Sequence, residues 1–261
     1  MNIKVNTKNL FRYWELIMSL AAKDLKVRYK SPVLGFLWAL LVPILMAIIF
    51  IIVFSGMFKI SIKNYPVFLL CGLFPWNFFQ LSIGTGTTSI VENGGLLKKV
   101  YFPRQVIPIS IVVANLVNFI LSLILLLIII LVFRLKLGMP LLLLPLVVIV
   151  QIILTTGILL IFSSLHAYYR DVRYIVEVLL LCWFYLTPIF YDIKGVIPDR
   201  YVEIYMLNPM AGIVTIYRDI FLYKIFPDMS LFLRTFLISV LLFILGMLVF
   251  KKYERNFADV T

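Results

Sequence analysis

An unbroken apolar run from Pro32 to Phe54 starts directly after a basic, amphipathic stretch, and Ser31-Pro32 is the junction. At 1.5 Å rise per residue, about 23 residues cross a hydrocarbon core of about 30 Å. Serine suits the position before a helix, and proline suits its first turn, where a missing N–H breaks no hydrogen bond. Before the junction, Trp14, Ile17, Met18, Ala21 and Leu25 recur at helical spacing. Lys8, Arg12, Glu15, Ser19, Lys23, Lys26 and Lys30 recur on the opposite face. The pattern predicts a helix on a membrane surface with its basic side in water. A kink and a bilayer-entering helix follow. Pattern alone fits a topology anchor as well as a moving part.

Further spans are predicted over 65–90, 106–133, 140–165, 175–191 and 231–250. Pro43 is expected to kink the first span, and Pro75 and the polar stretch 84–89 to interrupt the second. The chain is 63% hydrophobic and 14% charged, with a mean hydropathy of +1.08. Soluble domains run nearer 45–50% and about 25%, so the expectation is an all-α integral membrane protein of six spans. The charged first thirty residues and the long first apolar run argue against a cleavable leader. Cys71 and Cys182 match no disulfide or zinc spacing and read as small packing residues.

A net charge of +12 suggests nucleic acid or anionic lipid as a partner. Most of the basic residues flank apolar runs, which favours lipid headgroups and no nucleic acid. Seven of the 24 lysines and arginines precede Ser31, three lie in 92–105, two in 166–174 and three in the tail. These pieces share one side if six spans are drawn. The positive-inside rule then places them, and both termini, in the cytoplasm.

Little in the sequence suggests chemistry within the spans. Glu177, His166 and Arg234 lie near predicted span ends. Ion-coupled carriers place carboxylates or broken helices at mid-membrane, and the carboxylates are missing. His166 is the only histidine, so it has no second histidine to pair with and reads as an interfacial residue. Gly84-Thr85-Gly86 is followed by no lysine and forms no phosphate-binding loop. An energy source for transport would therefore sit on another chain. No catalytic residue and no metal ligand is assigned.

Three stretches carry more information. In 92–104, ENGGLLKKVYFPR, Gly94-Gly95 allows a sharp turn, 96–102 fits about two helical turns, and Pro103 stops them. This is a lever between spans or an ordinary positive-inside loop. The aromatic residues, Trp38, Trp76, Trp183 and Tyr185 among them, are interface belts or flat faces on which sugar C–H groups slide. Asn208-Pro209 followed by MAGIVTIYRDIFLYK reads as a capped, half-apolar helix too short to span, and so as re-entrant or interfacial.

Several segments, in this order, resemble the ABC-2-type permeases that serve ATP-driven exporters of lipid-linked polysaccharide (O-antigen, capsule or teichoic acid). They are KDLKVRYKSPVLGFLWALLVPI at 23–44, GLFPWNFF at 72–79, ENGGLLKKVYFPRQVIPIS at 92–110, YRDVRY at 169–174, LTPIFY at 186–191, and LNPM at 207–210 with Arg218. The resemblance implies a homodimer bound to two nucleotide-binding subunits, in a bacterial inner or cytoplasmic membrane. ATP and Mg²⁺ would be held by the partner ATPase, with no cofactor on this chain.

It also implies roles for particular residues. Residues 1–31 would form a cytoplasmic interface helix, and 32–261 the six-span domain. Glu92, Asn93, Leu96, Leu97, Lys98, Lys99, Tyr101, Phe102 and Arg104 would couple to the ATPase. Arg28, Tyr29, Lys30, Ser31 and Pro32 would form an elbow. Residues 192–230 would supply outer gate helices, with Pro188, Asn208, Pro209 and Arg218 at the gate. Trp38, Trp76, Trp183 and Tyr185 are candidates to line a channel at the dimer interface. An exporter of a drug or small lipid is the nearest alternative. A stand-alone channel or carrier, and a membrane enzyme acting on lipid-linked sugars, are the rivals from other classes.

Overall fold

The computed structural model describes residues 13–29, 38–50, 52–53, 62, 64–193, 196–254 and 257. Among them every regular element is helical. In chain order these are α1 (Trp14–Tyr29), α2 (Trp38–Phe50), α3 (Tyr65–Thr87), α4 (Ser89–Glu92), α5 (Gly94–Lys99), α6 (Val106–Val132), α7 (Leu144–Tyr168), α8 (Val172–Tyr185), α9 (Asp199–Tyr205), α10 (Pro209–Arg218) and α11 (Met229–Tyr253). A 3₁₀ turn, Met139–Leu143, leads into α7, and a π turn, Asp219–Tyr223, follows α10.

Four of the described segments are long and apolar enough to cross a membrane: Tyr65–Thr87, Val106–Val132, Met139–Tyr168 and Met229–Tyr253. α3 is the innermost. Its Phe68, Phe74, Trp76 and Phe79 are all but fully enclosed, and α6, α7, α8 and α10 pack around it. α11 lies outside, against α7. Two glycines set that approach: a Cβ on Gly246 would fall 2.1 Å from the carbonyl oxygen of Gly157. Small residues let helix backbones touch where lipid gives no hydrophobic drive to association.

Pro75 does not interrupt the second span as expected, whereas the 84–89 stretch does: α3 ends at Thr87 and α4 begins at Ser89, with Thr88 between them. α3 runs through Pro75 to Thr87. A proline in mid-helix removes one backbone N–H donor, and neighbouring helices support the site. Gln151 of α7 donates to the Pro75 carbonyl at 2.8 Å, and its other end accepts from Tyr217 of α10 at 3.0 Å. The hydroxyls of Thr85, Thr87 and Ser89 donate to Leu81, Ile83 and Gly86 carbonyls within the same turn of chain. Side chains that bond back to the backbone carry no exposed polar cost into an apolar setting.

The predicted fifth span divides. α8 has 14 residues, about 21 Å of helix, which is short of a bilayer core. Pro188 disfavours helical geometry at Thr187, and the Thr187 hydroxyl turns back to the Trp183 carbonyl at 2.8 Å. Beyond that point the chain is irregular but enclosed, with Thr187 and Ile189 fully buried. Non-helical backbone at membrane depth is tolerated where protein covers it.

α1 also departs from a helix lying flat on a surface. Ile17 joins the apolar cluster that contains Val106 and Ile107 at the start of α6. Eleven residues further on, Arg28 reaches Asn115. α1 therefore climbs along the first part of α6. Ile17 and Ala21 face inward, whereas Trp14 and Met18, expected on the apolar side, are about half exposed.

Candidate functional site

The sequence-predicted residues gather at the two opposite ends of the bundle. At one end, α4 and α5 form the turn between α3 and α6. Gly94 starts α5, and Val100 ends it in extended conformation (φ −130°, ψ 135°). α5 thus stops at Lys99, earlier than the two turns expected up to Pro103. Leu97 and Phe102 point inward, 8% and 6% exposed, and Leu96 packs beside them. Between them Lys98 and Lys99 face out, Val100 is half exposed, and Tyr101 is 76% exposed. An apolar knob ringed by lysines is thus held from both sides by buried anchors. Asn93 bonds back to the Ser89 carbonyl at 2.9 Å, and Glu92 is exposed. Arg104 donates to the Glu254 carbonyl at the end of α11. His166 is buried in the last turn of α7 at this end.

A polar relay runs inward from here. Arg28 pairs with Asp24 at 2.9 Å and donates to Asn115 Oδ1 at 2.7 Å. Asn115 Nδ2 in turn reaches the Thr85 hydroxyl at 3.5 Å, a long contact. An arginine beside apolar helices needs such partners, because a buried charge without them is costly. Tyr29 closes α1; Lys30, Ser31 and Pro32 lie outside the described residues. Asn115 was visible in the sequence as a polar residue in an apolar span, but nothing there indicated that it meets Arg28.

At the opposite end, Asn208 is a hub. Its Oδ1 accepts from the Met210 backbone N–H at 3.0 Å, capping α10, and from Trp183 Nε1 at 2.8 Å. Its Nδ2 donates to the Leu186 carbonyl at 2.9 Å and to the Thr187 hydroxyl at 3.3 Å. One amide thereby ties α8, the irregular segment and α10 together. Pro209 takes the first helical position, as its sequence implied. α10 is indeed short, and nearly all of it is buried.

Arg218, 3% exposed, closes the far end of α10. Its Nη2 donates to the Ile189 carbonyl at 2.8 Å, and its guanidinium lies 3.5 Å over the Phe68 ring of α3. Pro188 is enclosed between these two anchors. Above them, the Tyr191 hydroxyl donates to the Tyr185 carbonyl at 3.1 Å, so Tyr205 is the donor in the 2.9 Å contact between the two hydroxyls. Burial, and then the Tyr191 hydroxyl, push the Tyr205 phenol well above its usual range and keep it neutral.

The four channel candidates separate. Trp38 and Tyr185 are exposed, at 44% and 59%. Trp183 is half-buried and committed to Asn208. Trp76 is 1% exposed, wedged against Phe79 and Phe184, with its N–H given to Gln80. Trp76 therefore offers no face to a channel here: a large ring with a satisfied N–H belongs to the core.

The sequence pattern of the ABC-2 type transporters matches residues 15–222, which takes in both ends of the bundle. The chain belongs to the ABC-2 type transporter family. Among curated ABC-2 relatives, the O-antigen export system permease protein RfbA of Myxococcus xanthus is 35% identical over 261 residues, covering 97% of each chain. The protein of the same name from Klebsiella pneumoniae is 34% identical over the full length of both. The polysialic acid transport protein KpsM of Escherichia coli is 25% identical, over 78% of this chain and 80% of its own. As an ABC-2 permease, this is a membrane protein with helices able to span the bilayer.

Proposed function

We propose that this chain is the membrane-spanning permease subunit of an ATP-driven exporter of lipid-linked, O-antigen-like polysaccharide. Full-length similarity to the O-antigen export permeases is the observation that carries this reading. The chain works as a homodimer in a bacterial cytoplasmic membrane, with two nucleotide-binding subunits beneath it. Those subunits hold ATP and Mg²⁺, and this chain performs no hydrolysis. Six spans put both termini in the cytoplasm: the four long segments, the helix containing α2, and α8 together with the irregular stretch after it. Residues 1–31 form the cytoplasmic interface segment and 32–261 the transmembrane domain.

In this reading the 92–104 end faces the ATPase. Tyr101, flanked by Lys98 and Lys99, inserts into a groove of that subunit, whose acidic rim suits the lysines. Closure of the ATPases pushes the loop and α1 together. Arg28 passes that push to Asn115 in α6, and the Ser31-Pro32 elbow passes it to the span that contains α2. At the outer end, 192–230 is the gate, hinged on the Asn208 and Arg218 anchors. Trp38 and Tyr185 are the aromatic faces left free to line a path between two copies. Such faces hold a neutral glycan without trapping it.

The test is made on the assembled complex in membranes. Residues 96–102 are replaced by a Gly/Ser linker, and ATP hydrolysis and surface glycan are measured together. Export should vanish while lipid-linked glycan accumulates inside. Unchanged export would end the coupling reading. Normal surface glycan in cells lacking this chain altogether would end the exporter reading.

A further inference from the structure

α5 is six residues long. A helix of that length does not hold itself in water, because its few hydrogen bonds do not repay nucleation. Asn93 gives it no side-chain cap. Its position must come from tertiary contact, and the contacts lead to Glu254 and Phe257, just beyond α11. Leu97 and Phe102 belong to one apolar cluster with Ile17, Phe250 and Phe257. Phe257 is fully buried. Its ring stands edge-on to Phe250 at 5.3 Å and lies 6.1 Å from Tyr168, at the end of α7. The Tyr168 hydroxyl donates to the Tyr253 carbonyl at 2.9 Å, which fastens the end of α7 to the end of α11. From the other flank, Arg104 donates to the Glu254 carbonyl and brings its guanidinium 5.9 Å from the Phe257 ring. The last carbonyls of a helix lack intrahelical partners, and here Tyr168 and Arg104 supply two donors.

We infer that Glu254 and Phe257, just beyond α11, form the seat that sets the position of the 94–102 loop, with Phe257 and Arg104 as its positioning residues. The inference rests on the proposed coupling role of that loop only for its consequence, not for its geometry. The seat joins the loop to α7 and α11 as well as to α6. A push on Tyr101 is therefore shared among three long helices and does not bend the loop alone.

The experiment uses the full chain in lipid nanodiscs and follows hydrogen exchange at the backbone amides of 96–102. Phe257→Ala should speed exchange there by about tenfold, since local opening follows lost apolar contact. Phe257→Leu should restore most of the protection. Arg104→Gln, which keeps a donor but loses the cation over the ring, should fall between them. The amides of 210–212, at the opposite end, should exchange as in the parent chain and so report intact folding. Parent-like exchange at 96–102 in both Phe257→Ala and Arg104→Gln would overturn the seat. Export per ATP is then measured in the assembled complex with Phe257→Ala, and a several-fold fall is expected. Faster exchange with an unchanged export ratio would leave the seat standing and sink the coupling reading of the loop.

Discussion

At the 92–104 end, Leu97, Phe102 and Phe257 hold their places by apolar contact. At the opposite end, Asn208 and Arg218 hold theirs by hydrogen bonds, most of them to backbone groups. The first kind of contact is non-directional and roughly proportional to area. It lets a loop shift by a fraction of an ångström with little loss. The second is directional, and a displaced buried carbonyl loses its whole partner. The first end thus has the character of a socket and the second that of a latch. A transporter driven from one end needs compliance where force enters and a defined closed state where the cargo leaves.

Arg218→Ala should have the largest effect. It strips the Ile189 carbonyl of its donor and leaves a space over Phe68, at a cost of about 3 kcal/mol. Unfolding of the detergent-solubilised chain should show this as a large fall in stability, and leakage of small solutes through the complex should rise. Parent-like stability would mean that the latch does not depend on this residue.

Next come two conservative changes that set the ends directly against each other. Asn208→Gln keeps every polar group but moves it by one methylene. It should cost about 2 kcal/mol, close to Asn208→Ala, because the cap and the Trp183 contact both need the shorter arm. Leu97→Met keeps volume and should cost less than about 1.5 kcal/mol. If the two changes cost the same, the contrast between socket and latch fails.

Tyr101→Ala should change stability by less than about 0.5 kcal/mol, as exposed substitutions do. Affinity for the ATPase subunit should nevertheless drop about tenfold, as expected for an aromatic anchor. Titration of the purified ATPase against permease in nanodiscs measures it.

The smallest effect concerns Asp228, an exposed cap at the start of α11. Its carboxylate accepts from the Ser230 hydroxyl and from the Leu231 N–H at 3.2 Å. The Ser230 hydroxyl, and then the backbone, hold its pKa below the usual carboxylate value. A lowered folded-state value means that the cap stabilises fully above the unfolded-state value. That stability is lost as pH falls through the folded-state value. The melting difference between the parent and Asp228→Ala should therefore hold constant from about pH 7 to about pH 5 and shrink only as the pH falls through about 4 and below. A difference that stays constant below about pH 4 would mean that the charge on the Asp228 carboxylate does not carry the cap.

Much of this organisation was legible in advance. The apolar runs marked α6, α7 and α11 to within a few residues, since about 20 apolar residues have few other uses. Asn208-Pro209 marked the start of α10, because cap chemistry is local. Pro75 misled. It reads as a break until α3 is seen to run through it, enclosed by α6, α7, α8 and α10. Trp76 misled similarly: a tryptophan within an apolar span suits a channel wall or a core, and only its neighbours decide. The loop's anchor at Phe257 left no signal, because a phenylalanine in a polar tail has no period to place it.

The sequence by itself determined that this chain is helical, enters the membrane repeatedly and carries a basic end. Each follows from composition, run length and charge placement, which are properties of segments. The tertiary structure alone decided which polar residues meet: Arg28 with Asn115, Arg218 with Ile189, Arg104 with Glu254. Those pairs lie 29 to 150 positions apart. A buried donor takes whatever acceptor the packing brings within about 3 Å, and packing is a property of the whole chain.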